Sequence, residues 1–66
     1  MASRPIREMP GHVVVRRMKA RRVRQLDVAL RVGTSSGTVS QTIHRSPTVS
    51  KALAARIWTA IEEALR

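Results

Sequence analysis

Residues 25–44 read QLDVALRVGTSSGTVSQTIH, a layout typical of two short helices joined by a tight turn. Ala29 is small enough to let a second helix approach closely, and Gly33 has the freedom that a turn with positive φ requires. Val39 supplies a β-branched side chain to fill the angle between the two helices. These positions predict a helix-turn-helix whose second helix covers residues 35–44.

The second helix of this motif carries short hydrogen-bonding side chains where a core helix would carry apolar ones. A helix of this kind suits the major groove of DNA. The charge agrees, because 13 Lys and Arg against four Asp and Glu leave a net charge of +9, which favours a polyanionic partner. The sequence therefore predicts a DNA-binding protein.

A run of cations precedes the motif: Arg16, Arg17, Lys19, Arg21, Arg22 and Arg24. Charge runs are often only a solvated surface. Beside a helix-turn-helix, contact with DNA phosphates is the favoured interpretation. We therefore predict a basic face formed by Arg16, Arg17, Lys19, Arg21 and Arg22.

The periodicity of apolar residues predicts an all-α fold, a small bundle of four or five short helices. The expected helices cover residues 11–22, 25–32, 36–44 and 51–65, with Ser35 and Ser50 as N-caps of the last two. A strand over Val13–Val15 is the alternative for part of the first helix. Buried side chains are expected as follows: Leu26, Val28, Ala29 and Val32 in the second helix, and Leu53, Ile57, Ala60, Ile61 and Leu65 in the fourth.

Residues 1–10 are predicted to form a flexible basic arm, and residues 11–66 the DNA-binding domain. Pro5 and Pro10 obstruct regular structure in this segment, while Arg4 and Arg7 give it positive charge. The arm is either a disordered tail or a segment that follows the DNA backbone or enters the minor groove.

Other classes of function find little support in the composition. The chain has no cysteine, two isolated histidines and four scattered carboxylates, so we expect no metal site, no cofactor and no enzyme. No segment has the ~20 apolar residues of a membrane span, and residues 1–10 lack the apolar core of a secretory signal. We expect a cytoplasmic, nucleoid-associated bacterial protein.

The residues from about Gln25 to Leu65 resemble the DNA-binding headpiece of the lactose-repressor family. The matching elements are Asp27-Val28-Ala29, Gly33, the segment Ser35-Ser36-Gly37-Thr38-Val39-Ser40, Val49-Ser50 and the closing Ile57…Ala60-Ile61-Glu62-Glu63…Leu65. The preceding helix is more similar to the phage repressor and Cro group, in which a Gln also begins the second helix. The chain ends before an inducer-binding domain, so the resemblance implies DNA reading without a small-molecule effector.

The resemblance also implies roles for individual residues. Ser36, Gly37 and Gln41 match base-reading positions, and Gln41 is the strongest because its amide pairs with adenine at two atoms. Contacts to phosphates are implied or expected for Arg24, Gln25, Ser35, Thr38, Ser40, His44, Arg45 and Lys51. Thr42 departs from the family pattern at an apolar position; either Ile43 replaces its packing or its hydroxyl bonds back to the preceding turn.

The expected function is that of a small transcription regulator of phage or mobile-element type. It would repress by binding an inverted repeat of double-stranded DNA as a homodimer, with the helix over residues 35–44 in the major groove. Trp58 is either a lid at the margin of the core or a dimer contact. The alternatives are an architectural, excisionase-like or nucleoid DNA-binding protein, and an antitoxin-type module that binds another protein.

Overall fold

Four α-helices make up most of the computed structural model, which describes residues 4–66. They are α1 (Gly11–Ala20), α2 (Gln25–Val32), α3 (Ser36–Ile43) and α4 (Lys51–Ala64), preceded by one 3-10 turn at Ile6–Glu8. Residues 4–66 contain no strand, so the all-α prediction is confirmed and Val13–Val15 belong to a helix. Val14 faces the core from α1 and is fully buried there.

The ends of the helices follow local sequence rules. The hydroxyl oxygens of Ser35 and Ser50 each accept the backbone N–H three residues later, at 3.2 Å, as an N-cap does. Gly33 ends α2 in the left-handed conformation, with φ of 86°. Its N–H and that of Thr34 both donate to the carbonyl of Ala29, at 2.8 and 2.9 Å. The predicted turn and both predicted caps are confirmed.

The core lies where α2 packs against both α3 and α4, with α1 resting on α3. Its buried side chains come from every helix: Val14, Met18, Val28, Ala29, Val39, Ile43, Ile57, Trp58, Ala60 and Ile61. The prediction for the fourth helix is confirmed, with Leu53 and Leu65 half-buried at its two ends. α3 is contacted by α1, α2 and α4, and the side of α3 that carries Ser36, Gly37 and Gln41 stays exposed.

The prediction for α2 is wrong at Leu26, whose side chain is 47% exposed. Residues two apart on a helix lie about 200° apart around its axis, so Leu26 cannot share the face of the buried Val28. Leu30 lies one turn further along the same outer face and is 72% exposed. Two large apolar side chains of α2 therefore face solvent.

Residues 6–9, which fall in the segment predicted to be an arm, form a 3-10 turn and its C-cap. Ile6 lies in the hydrophobic core with 9% of its surface exposed. Arg7 donates from Nε and Nη2 to the two carboxylate oxygens of Glu62 in α4, at 2.9 and 2.8 Å. Apolar burial and a two-point ion pair hold this segment against α4. Residues 1–3 of the predicted arm lie outside the described residues.

The start of α1 approaches the end of α3 so closely that Gly11 has no room for a side chain. A Cβ atom there would lie 3.1 Å from the carbonyl oxygen of Ile43 and 2.9 Å from Nδ1 of His44. We expect Gly11→Ala to lower the free energy of unfolding by about 1–3 kcal/mol, the usual cost of overpacking. Thermal unfolding followed by circular dichroism measures this.

Gly37→Ala is the matched control for that substitution. Gly37 is exposed on α3, and the nearest atom to an added Cβ is Oγ of Ser35 at 3.9 Å. We expect this variant to gain roughly 0.5–1 kcal/mol, because alanine favours the helix. Equal melting temperatures for the Gly11 and Gly37 variants would contradict the close approach of α1 to α3.

Candidate nucleic-acid interface

The solvent side of α3 carries the residues that the sequence assigns to base reading. Val39, Thr42 and Ile43 point into the core, each with 3% exposure or less. Ser36, Gly37 and Gln41 are exposed, and Ser40 lies between them partly exposed. α3 therefore presents one apolar side to the protein and one polar side to solvent.

Thr42 resolves the departure from the apolar pattern by both expected routes at once. Its hydroxyl donates to the carbonyl of Thr38 at 2.9 Å, one turn back. Ile43 is fully buried beside it. A buried hydroxyl with an acceptor inside its own helix carries little desolvation cost. The C-terminal half of α3 can therefore stay in the core despite the polar residue.

Two hydroxyls lie together at the start of α3. Oγ of Ser35 and Oγ1 of Thr38 are 2.9 Å apart, and Oγ of Ser35 also accepts the N–H of Thr38. One hydroxyl donates to the other, so one O–H proton of the pair remains free. That O–H group, together with the backbone N–H groups of Ser36 and Gly37, can donate to a phosphate oxygen.

Gln41 keeps its amide group available to a ligand. Its Oε1 accepts only a long hydrogen bond from Oγ1 of Thr48, at 3.5 Å. The backbone carbonyl oxygen of Gln41 accepts the N–H of Ser46 at 2.8 Å, so the loop after α3 is held against the backbone of that helix. The side-chain NH₂ group has no partner among the hydrogen bonds of residues 4–66, so the amide oxygen and nitrogen can reach a base edge together.

Arg45, for which a phosphate contact is expected from the sequence, makes several hydrogen bonds within the protein. Its backbone adopts the left-handed conformation with φ of 59°. The guanidinium group donates to the carbonyls of Arg7, Met9 and Ile43, and its carbon lies 5.4 Å from the centre of the Trp58 ring. The left-handed turn directs the side chain back over the protein, where it joins residues 7–9 to α4.

Trp58 lies beneath this guanidinium with 8% of its surface exposed. The position fits the expected lid at the margin of the core. A dimer contact needs accessible area, and the fold leaves Trp58 little of it.

Arg24 and Asp27 form an ion pair at the start of α2. The carboxylate of Asp27 accepts the backbone N–H of Arg24 at 2.9 Å and its Nη2 at 3.1 Å. These hydrogen bonds, the side-chain one first, lower the pKa of Asp27 below its usual value. The pair is exposed to solvent, and a phosphate must share the guanidinium of Arg24 with Asp27.

The structure divides the predicted basic face into two groups. Lys19 and Arg22 line a concavity of about 420 Å³ with Arg24 and Gln25, beside the start of α2. Arg17 and Arg21 line a separate cleft of about 550 Å³ between the N-terminal segment and the end of α4. Arg4 and Arg66 join this second group, which the sequence could not reveal because these two residues lie far from Arg17 and Arg21 in the chain. Arg16 is exposed and lines neither.

The remaining candidates lie at helix ends. His44 is the exposed C-cap of α3 and its ring lies next to Gly11, while Lys51 is the exposed first residue of α4. Residues 4–66 hold no group of three or more His, Asp or Glu side chains placed to bind a metal ion. Within the same part of the chain, every helix is too short or too polar to cross a membrane.

Comparison with protein families gives one finding. The model of the family described as "Bacterial regulatory proteins, lacI family" matches residues 26–64. The match covers α2, α3 and α4 and leaves out α1. Comparison with curated proteins and with solved structures gives no match.

Proposed function

The chain belongs to the lacI family of bacterial regulatory proteins, and from this we propose that it acts as a repressor that binds an inverted-repeat operator as a homodimer. Membership of the family makes it a DNA-binding domain of a transcription regulator, with double-stranded DNA as its ligand. The number of copies on the DNA, the shape of the operator and the direction of regulation belong to the proposal.

The polar side of α3 is the observation that carries the proposal. Ser36, Gly37 and Gln41 lie on it, and α3 is held from behind by three buried side chains. A helix with this arrangement can enter the major groove while the rest of the domain stays outside. We propose that Gln41 reads an adenine, that Ser36 makes a weaker base contact, and that Gly37 lets the backbone approach the bases.

Phosphate contacts are proposed on both sides of that helix. Lys19, Arg22 and Gln25 surround one concavity at the start of α2, and Arg24 contributes from its ion pair with Asp27. Ser35, Thr38 and Ser40 contact the backbone from α3 itself, and Lys51 does so from α4. Such contacts set the position of the helix in the groove but carry no sequence information.

Two copies are proposed because one copy reads few bases. Serine and glycine at the front of α3 offer no bidentate contact, so Gln41 is the main discriminating residue of each domain. A good bidentate contact contributes about 1–3 kcal/mol of discrimination. Two α3 helices on half-sites one turn of DNA apart, ~34 Å, double that discrimination. Repression then follows from occlusion of the promoter.

Selection of bound sequences from random DNA at about 150 mM salt tests the proposal. We expect an enriched inverted repeat whose half-sites are about one helical turn apart. Binding without an enriched motif would support an architectural protein, for which the net charge of +9 is the main argument. Failure to bind any duplex would point to the antitoxin-type alternative.

The two groups of cations give a charge-matched prediction. Lys19→Ala with Arg22→Asn removes two charges beside α2, and Arg17→Ala with Arg21→Asn removes two from the other cleft. Asparagine is chosen because Arg22 has a φ of 57°, which asparagine tolerates. We expect the first variant alone to reduce the slope of log affinity against log salt, by about 0.9 for each phosphate that the protein no longer neutralises.

Fluorescence anisotropy with one labelled duplex over a series of salt concentrations measures both slopes. Equal slopes for the two variants would show that the concavity beside α2 has no special part in phosphate binding.

A further inference from the structure

The outer face of α2 is apolar and has no partner within the chain. Leu26 and Leu30 lie one helical turn apart, 47% and 72% exposed, and they are the large apolar side chains most open to solvent in residues 4–66. The buried residue Val28 occupies the opposite side of the same helix. An apolar pair on the outside of an eight-residue helix adds nothing to the core.

We propose that this face of α2 is the surface through which two copies of the chain contact each other on DNA. The inference rests on the proposed binding of two copies to one operator and adds the contact between them. In an antiparallel pairing of α2 with the α2 of the second copy, Leu26 of each copy packs against Leu30 of the other. A two-fold axis between the helices makes the contact the same from both sides, as an inverted repeat requires.

Two residues of opposite charge lie beside the leucines, and the same two-fold axis pairs each of them with its opposite in the second copy. Asp27 and Arg31 lie four residues apart, on the flank next to Leu26 and Leu30. An antiparallel arrangement brings Asp27 of one copy opposite Arg31 of the other, twice. A parallel pairing, with its two-fold axis along the helices, would place the two charged flanks on opposite sides of the contact. Arg31 has no ion-pair partner among residues 4–66, whereas Asp27 already pairs with Arg24 on one side.

The contact is too small to hold two free copies together. Stable interfaces bury about 800 Å² on each partner, which two leucines and their neighbours do not approach. Each copy also carries a net charge of +9, and the two copies repel until DNA phosphates neutralise them. We therefore expect monomers in solution and paired copies on an operator.

Cross-linking through a single introduced thiol tests the contact, because the chain has no cysteine of its own. The Leu30→Cys variant is treated with a short bis-maleimide in three samples. They are the protein alone, the protein with the duplex recovered by selection, and the protein with that duplex after one half-site is scrambled. We expect a covalent dimer on the intact duplex, in about tenfold excess or more over the other two samples. Ala20→Cys is the control, since Ala20 is exposed and lines the cleft that contains no residue of α2.

Gel shift of the same samples counts the copies bound to the intact duplex. This count tests the proposed homodimer, on which the inference rests, separately from the α2 contact. Two bound copies without a covalent dimer at residue 30, or with equal yield from Ala20→Cys, would overturn the α2 contact alone. A single bound copy would overturn the homodimer itself. Leu30→Ser adds a second measurement: the half-site affinity stays the same, while the concentration that fills both half-sites rises about tenfold.

Discussion

Gln41→Ala is expected to weaken binding to the selected operator by about 10- to 100-fold for each half-site and to leave binding to random duplex almost unchanged. The amide is exposed, its bond to Thr48 is long, and its NH₂ group is free to pair with an adenine. The loss of one bidentate contact costs about 1–3 kcal/mol, and 1.4 kcal/mol corresponds to a factor of ten. Competition binding with the two duplexes at one salt concentration gives both affinities.

Gln25→Ala provides the matched control, because it removes the same side chain from the start of α2. Gln25 lies beside Lys19 and Arg22, where a phosphate contact is proposed. Its loss is expected to weaken the operator and random DNA by the same small factor. Equal losses on both duplexes for Gln41→Ala would remove Gln41 from base reading. Gln41 is exposed and Gln25 is half-buried at the start of α2, so the melting temperature of each variant is measured beside its affinities.

Trp58→Ala is expected to lower the free energy of unfolding by about 3–5 kcal/mol. The ring of Trp58 is 8% exposed, packs into the hydrophobic core from α4 and lies beneath the guanidinium of Arg45. Large-to-small substitutions of buried aromatics usually cost this much. A chain of this length has a total stability of roughly 3–10 kcal/mol, so the variant is expected to be largely unfolded at 37 °C. Circular dichroism against temperature measures the change.

Two further variants distinguish the core role of Trp58 from the alternative of a dimer contact. Trp58→Phe keeps an aromatic ring beneath Arg45 and is expected to recover most of the stability. Leu30→Ala removes apolar surface from the outer face of α2 and is expected to leave the melting temperature unchanged. A Trp58→Ala protein that melts like the wild type but no longer binds as two copies would show that Trp58 is a dimer contact.

Much of the fold was predictable because it depends on neighbours in the chain. The bounds of α2 agree with the prediction, and those of α3 and α4 agree to within one residue. Gly33, Ser35 and Ser50 act within three or four residues of themselves, through a turn or a capping hydrogen bond. The exposed positions of Ser36, Gly37 and Gln41 follow from the same periodicity, once Val39 and Ile43 are placed in the core.

The amino-acid sequence was sufficient to predict the helices, the turn between α2 and α3, and the polar side of α3, because hydrogen bonds and side-chain periodicity within one helix are local. Contacts between distant parts of the chain, visible only in the folded protein, bury Ile6 and place Arg45 over Trp58. The tertiary structure also separated Lys19 and Arg22 from Arg17 and Arg21. Each of these outcomes depends on which elements lie beside the residue, and a contact between residues 38 positions apart, such as Arg45 with Arg7, leaves no periodic signal in the chain.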